Sequence, residues 1–494
     1  MREQTRRDFV KSAGALAASA GISWLLRPSL LTAGGAGIAK RPNVLFFFPD
    51  QHRGDWLGTN PAIPLRTPNL NRIAGRGVRF TNALSPSPLC APCRACLAAG
   101  KEYDRCGVAS NGIDYPINQV TFYTLLRDSG YHVAGCGKFD LHKASSNWGL
   151  DGKHLLPEWG FSDGIDNAGK MDAVRSGAKE PKDPYMAYLQ KRGLLEIHVE
   201  DFRKRRDYSA TFPTPLPEEA YCDNWVANNG LELMKKFPQD KPWFLQINFT
   251  GPHNPMDITK RMESHCRGRA FPQPNRCTRF SPEIHVAIRQ NYSAMVENVD
   301  RWLGIYIGKL KERGELDNTI IVWSSDHGEM LGDHDAWGKS SPYQPSVGVP
   351  LLAAGPGIRG GFVCDAPVSV MDLAATFLDY GDVRRPDDVD SRSLKPLLEG
   401  KKDGHREYVL AGLNPWRVAF DGRYKLVRGF RGGKNKRNTD QKERGKMSFL
   451  LFDLKNDPLE NVNIADQAKG QVERLSQMIG VHLPKSGEGS RREG

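Results

Sequence analysis

Short apolar runs that stop at polar clusters recur four times along this chain. "NVLFFF" (43–48) runs into Pro49-Asp50-Gln51, and "YHVAGCGK" (131–138) delivers Lys138, with Asp140 and His142 just beyond. "WFLQINF" (243–249) leads to "TGPHNP", which presents His253, and "TIIVWSS" (319–325) leads to Asp326-His327-Gly328-Glu329. Runs that are apolar at every position predict strands buried on both faces of a parallel sheet. Helical periodicity fills the gaps, as over Val120–Ser129 and Glu283–Arg313. That alternation predicts an α/β fold, a central sheet flanked by helices. Ligands of such sheets bind beyond the carboxyl ends of the strands, so the four clusters are expected to meet. Any one of them reads equally well as a helix cap or a turn, His253 between Pro252 and Pro255 for instance. Four together do not.

The pattern changes after "VPLLAAGPG" (349–357). Residues 368–381 read as helix, and "REYVLAGL", "WRVAFDGRYKLVRG" and "SFLLFDLKNDP" read as strands of a smaller antiparallel sheet, with Asp421-Gly422 as a hairpin turn. A last helix is expected over Gln467–Ile479, packed on that sheet. Residues 143–240 form a polar, Pro- and Lys/Arg-rich insertion of the kind that walls a pocket. Its aromatics, such as Trp148, Trp159, Tyr185 and Tyr188, suit a sugar, although aromatics in so long an insertion more often belong to core. The resulting division is an export signal over 1–39, a catalytic domain over 40–365, a C-terminal subdomain over 366–484 and a disordered tail over 485–494.

The N-terminus carries Arg6-Arg7, Phe9 and Lys11 before a weakly hydrophobic Ala/Gly run, which resembles a twin-arginine export signal. Cleavage after Gly37-Ile38-Ala39 would release a periplasmic or secreted chain. Residues 1–39 hold five basic and two acidic side chains, so their removal lowers the net charge from +12 to +9. A basic exported protein suits polyanionic ligands. Basic residues concentrate in "FRKRR" (202–206) and in 423–437, but no recognition motif accompanies them, which argues against nucleic acid. No later stretch is long and apolar enough for stable membrane insertion. An oxidising compartment permits disulfides, and Cys266 and Cys277, in a Pro- and Arg-rich stretch, are positioned to staple a loop.

"PLCAPCRACLAAG" (88–100) places Cys90, Cys93 and Cys96 three apart, with Cys106 nearby. The spacing reads either as a metal or cluster site, or as one special sulfur ahead of a short helix.

With "NVLFFFPDQ", "LCAPCRACLAAGK", "GCGKFDLHK", "GPHNP", "SSDHGEMLGDHDAWGKSSPYQPSVGVPLL" and "LFDLKNDPLENVN" in place, the chain resembles the sulfatases of the alkaline-phosphatase-like superfamily. The resemblance implies a mixed central sheet with a smaller C-terminal antiparallel-sheet subdomain. It also implies that Cys90, first residue of Cys-x-Pro-x-Arg, is oxidised by a formylglycine-generating enzyme to Cα-formylglycine, whose hydrate is the nucleophile. Cys93 and Cys96 then become packing residues. The implied metal set is Asp50, Gln51, Cys90, Asp326 and His327 around one calcium, or magnesium or manganese. Arg94 orients the hydrate, Lys138 and Lys339 clamp the sulfate oxygens, and His253 protonates the leaving alcohol. Many family members place a histidine base two residues after the lysine. Here Asp140 holds that position and His142 lies two residues further on, so either His142 is the base with Asp140 orienting it, which is the favoured assignment, or Asp140 participates directly. Asp333 and His334 read equally as substrate contacts or as a turn under the metal loop. Ala98 and Ala99 depart from the usual Leu and Thr.

The expected activity is hydrolysis of sulfate esters on a sulfated small molecule or glycan. A phosphonate or phosphodiester hydrolase of the same superfamily, and an inactive glycan-binding relative, are the alternatives.

Overall fold

The computed structural model describes residues 41–430 and 449–482. The export segment, residues 431–437 of the second basic stretch and the tail from Lys485 lie outside the described residues.

Alternation along Asn43–Phe47 shows why this strand is central. Val44 and Phe46 enter one apolar core and Leu45 and Phe47 the other, with all four buried. A strand apolar on both faces requires a covering layer on each side. On one face lie the helices Cys90–Ala99, Phe122–Asp128 and Asp372–Tyr380; on the other lie Pro68–Arg76, Cys222–Lys235 and Pro282–Glu312. Each phenylalanine so enclosed contributes about 1.5–3 kcal/mol.

The sheet has eight strands in the spatial order 163–166, 132–137, 243–248, 43–47, 319–323, 351–354, 78–80 and 362–364. The first five run parallel, and Leu351–Ala354 pairs antiparallel to both its neighbours, which makes the sheet mixed. The four strands that the sequence ends in chemistry, 132–137, 243–248, 43–47 and 319–323, are therefore consecutive and parallel. Their carboxyl ends form one edge.

The C-terminal part forms a separate four-stranded antiparallel sheet from Val409–Leu413, Trp416–Phe420, Tyr424–Arg428 and Phe449–Asp453. Asp421-Gly422 does turn the hairpin. Gly422 takes φ +94°, open to glycine without strain, and the Asp421 carboxylate accepts from Arg423 N and Tyr424 N. The last helix, Lys469–His482, lays Leu475 and Ile479 against Ala419, Leu426 and Leu451. In the 143–240 insertion Trp148, Trp159 and Tyr185 are core residues, fully buried. The expected Cys266–Cys277 staple is not formed; both are free thiols, Cys266 bonded to Glu263 O and Cys277 to Asp335. Among the described residues no helix is long and apolar enough to cross a membrane.

Candidate active site

The strand ends are stitched to one another by backbone hydrogen bonds. Asp50 N donates to Phe249 O at 3.0 Å, Ser324 N to Phe47 O at 3.1 Å, and Lys138 N to Asn248 O at 3.1 Å. Side chains that leave four separate segments consequently share one buried volume.

Cys90 occupies its centre. It is the first residue of the ten-residue helix Cys90–Ala99, in which every residue is buried and Gly100, in the left-handed region, closes the C-terminus. Its Sγ lies 3.0 Å from Lys339 Nζ, 3.4 Å from Lys138 Nζ, 3.3 Å from His327 Nε2 and 3.7 Å from Asp50 Oδ2. Burial and Asp50 push the Cys90 thiol up, but Lys138, Lys339 and His327 together outweigh them and hold it below the ordinary thiol range. Cys93 is the opposite case: burial raises its thiol well above that range. The three cysteines thus separate into one activated sulfur and two packing residues, and Cys96 lies wholly in the core.

Asp50, Cys90, Asp326 and His327 present ligand atoms that all lie within 4.8 Å of one another, every one buried. Asp326 Oδ1 accepts from Gln51 N and His327 N, while its Oδ2 faces Arg94 and the His327 ring. Gln51 completes the set from the side. Its Nε2 donates to Glu329, which leaves Oε1 facing inward, 2.9 Å from Lys339 Nζ. Burial penalises Asp50 as an anion, yet Lys138 and Lys339 outweigh this and hold it well below the usual carboxylate range. Two buried carboxylates, a carboxamide oxygen and an imidazole make a hard, oxygen-rich donor set, which fits a divalent cation such as calcium, magnesium or manganese.

Arg94 is a bracket. Its guanidinium bonds Asp326 Oδ2 at 3.0 Å, the Lys138 carbonyl at 2.5 Å and Asn248 Oδ1 at 3.3 Å, and it lies over the Phe48 ring. It joins three strand ends to the helix that carries Cys90. His253 is half-buried and faces the same charges: burial and then Lys339 pull its pKa well below the ordinary imidazole value, against Asp50. Its ring Nδ1 is turned to Asn254 O.

The loop after Lys138 separates the two candidates for the base. Asp140, at φ +54°, places Oδ2 3.1 Å from Lys138 Nζ and 2.9 Å from Lys143 Nζ, and its Oδ1 is buried without a hydrogen-bond partner. Burial opposes its charge, but Lys138 and Lys143 hold its pKa at about 2. His142 is bonded instead to Asp166 Oδ2 at 3.1 Å and enclosed by Trp148, Trp159 and His154. Asp333 is the turn under the metal loop, paired with Arg53 and Arg289, and His334 stacks on Tyr343. In "FRKRR", Arg205 is consumed by a buried pair with Asp201.

Several supporting residues carry no motif of their own. Asp223, inside the insertion, accepts from Thr250 N, Thr250 Oγ1 and Gly251 N and so fixes the turn that presents His253. Lys170 is buried and bonds Asp257 Oδ1 and the His253 carbonyl. Glu329 closes the Asp326-His327-Gly328-Glu329 run, but only its contacts to Gln51, Tyr208 and Gly338 N reveal that it aims the carboxamide.

Known proteins resemble this chain along most of its length. The sulfatase family model matches residues 42–383, and the model for the C-terminal region of N-sulphoglucosamine sulphohydrolase matches 332–485. An arylsulfatase of Clostridium perfringens is 26% identical over 477 residues, covering 91% of this chain and 96% of that protein. An N-acetylglucosamine-6-O-sulfatase of Bacteroides thetaiotaomicron is 28% identical over 400 residues, 73% of this chain and 72% of that protein. The crystal structure of a phosphonate monoester hydrolase of Agrobacterium radiobacter superposes with a TM-score of 0.71 at 24% identity, covering 89% and 95% of the two chains. That last likeness is one of fold.

Proposed function

We propose that this chain, which belongs to the sulfatase family and hydrolyses sulfate esters, does so on sulfated carbohydrates through a nucleophile made from Cys90. The observation that carries this reading is the position of Cys90 Sγ, in contact with two lysines, His327 and Asp50 at once. Oxidation of Cys90 by a formylglycine-generating enzyme would put an aldehyde hydrate where the thiol now stands. A divalent cation, calcium on this reading, would be held by Asp50, Gln51, Asp326 and His327. When bound it would polarise a sulfate oxygen and acidify the hydrate hydroxyl.

The chain's own residues supply the rest. Lys138 and Lys339 bring two ammonium groups to the sulfate oxygens, which otherwise repel an anionic nucleophile. One hydrate oxygen, its proton already lost to solvent, forms a bond to sulfur as the sulfur–alkoxide bond breaks. The departing oxygen takes a proton from His253, whose imidazolium form the negative charge of the bound sulfate ester favours against the pull of burial and Lys339. The sulfated hydrate then loses the proton of its second hydroxyl, the aldehyde re-forms and sulfate leaves, so no water attacks sulfur.

For that second proton the geometry favours Asp140 over His142. A base needs a path to the proton it removes, and Asp140 is linked to the reacting position through Lys138, itself 3.4 Å from Cys90 Sγ, which offsets the low basicity of a carboxylate held at about 2. The unpartnered Oδ1 offers it an acceptor site. Asp140→Asn is expected to cut kcat by about a hundredfold and to let a sulfated protein accumulate, whereas His142→Gln should release sulfate normally. The reverse pattern in rapid-quench mass spectrometry would return the role to His142.

The carbohydrate reading is supported by the glycan sulfatase among the relatives and by the net positive charge. Parallel turnover of aryl sulfate, sulfated saccharides, phosphate diesters and phosphonate esters tests it. Preference for a phosphorus ester would overturn the sulfate reading of the site, and indifference to saccharides would overturn the carbohydrate one. Export rests on Arg6-Arg7 and the Ala/Gly run that follows. A native protein that begins near Lys40 is the expected result, and one that retains Met1 counts against it.

A further inference from the structure

The late segment "LFDLKNDPLENVN" (451–463) contributes nothing to the cluster around Cys90, yet it holds a buried glutamate. Glu460 is 3% exposed and Lys425, on the neighbouring strand Tyr424–Arg428, is 0% exposed; the two form an ion pair. Lys425 sits opposite Phe420 and Phe452 in the small sheet, both buried. Buried pairs of this kind rarely add stability over apolar residues of equal volume. This one is also spent outward. Lys425 Nζ donates to the Pro342 carbonyl at 2.8 Å, and Glu460 Oε2 accepts from Gln344 N at 2.6 Å.

Pro342 and Gln344 lie three and five residues after Lys339, on the loop that brings Lys339 Nζ to 3.0 Å from Cys90 Sγ. The near end of the loop is fixed by Gly338 N on Glu329 and by Ser340 N on Pro88 O. The far end is fixed by Lys425 of the small sheet and by the segment that follows that sheet: His334 stacks on Tyr343 at 4.0 Å and bonds Leu459 O. The loop is thus held at one end by the metal loop and at the other by residues of the last hundred.

We propose that Lys425 and Glu460 are positioning residues that set the Lys339 ammonium against the reacting group, so that the C-terminal sheet is part of the clamp. The proposal rests on the reading of Lys339 as a sulfate clamp.

The test is a double-mutant cycle. Lys425→Met with Glu460→Leu replaces the pair by apolar side chains of similar volume, and the fold should tolerate the exchange. It nonetheless removes the donor to Pro342 O and the acceptor for Gln344 N. The expected result is a fall in kcat of about a hundredfold, the effect of a displacement near 1 Å, with KM nearly unchanged. In a Lys339→Ala background the same exchange should cost less than about twofold, because its target is gone. Full activity of the folded double variant, or a loss that multiplies in full on Lys339→Ala, overturns the proposal.

Lys425→Arg provides a second measurement should the apolar pair not fold. It keeps the charge and displaces the donor atom, so kcat should fall about tenfold at constant KM; unchanged kcat counts against the proposal. A wild-type protein that turns over no sulfate ester would instead remove the underlying reading of the site. The two failures are therefore distinct.

Discussion

Replacement of Cys90 by alanine is expected to lower sulfate-ester turnover by roughly 10⁴-fold or more, since no other side chain supplies the attacking oxygen. The fold should survive. Cys90 begins a helix of alanine, leucine and cysteine, alanine is the best helix former, and only one sulfur atom is lost. Its neighbours keep partners: Lys138 retains Asp50 and Asp140, and Lys339 retains Gln51. Cys90→Ser is the more diagnostic change. A serine hydroxyl could accept sulfate, but the ester formed has no second hydroxyl from which to expel it, so at most one turnover per protein is expected. In active wild-type protein the Cys90 peptide should weigh about 18 Da less than the thiol form, the difference between a cysteine side chain and an aldehyde. Active protein in which that peptide carries only the thiol would sink the proposed nucleophile.

Asp50→Asn carries the second-largest expected effect, a loss of at least about 10³-fold in kcat together with loss of the bound cation. Asp50 is held well below the usual carboxylate range, so it is an anion at any working pH. Asparagine keeps the shape and removes that charge. The remaining donors, Asp326, His327 and Gln51, would then offer a divalent ion one carboxylate rather than two. Elemental analysis of purified protein should find about one divalent ion per wild-type chain and far less in the variant. A saturating cation should stabilise the wild type by about 2.7 kcal/mol at a hundred times its Kd, and the variant hardly at all. Equal metal content and equal turnover in the two proteins would remove Asp50 from the cation site.

Both effects trace to residues whose importance is readable in the chain. The four strand ends are legible because a strand buried on both faces must be apolar throughout, and the first polar residue then marks where it leaves the sheet. Asp50, Lys138, His253 and Asp326 are each the first chemistry beyond such a run. The sheet order converts that pattern into a site, since the four strands prove consecutive and parallel. Asp223 and Lys170 were not legible in the same way. They stand in a polar insertion where an aspartate or a lysine is the commonest kind of surface residue, and only their burial against the His253 turn distinguishes them.

By itself, the amino-acid order determined the layered α/β fold, the position of Cys90 at a helix start and the set of donors that can surround it. The fold and the helix start follow from local periodicity, and the donor set from the resemblance of the motifs at the strand ends to those of the sulfatases. Tertiary packing alone decided which neighbour of Lys138 pairs with it, what Arg94 binds, and that Lys425 of the small sheet and Glu460 beyond it bond the loop bearing Lys339. Those choices depend on which buried groups find partners across hundreds of residues. A desolvated charge or hydrogen-bonding group takes the partner that the folded chain brings within about 3 Å, and sequence distance carries no information about that.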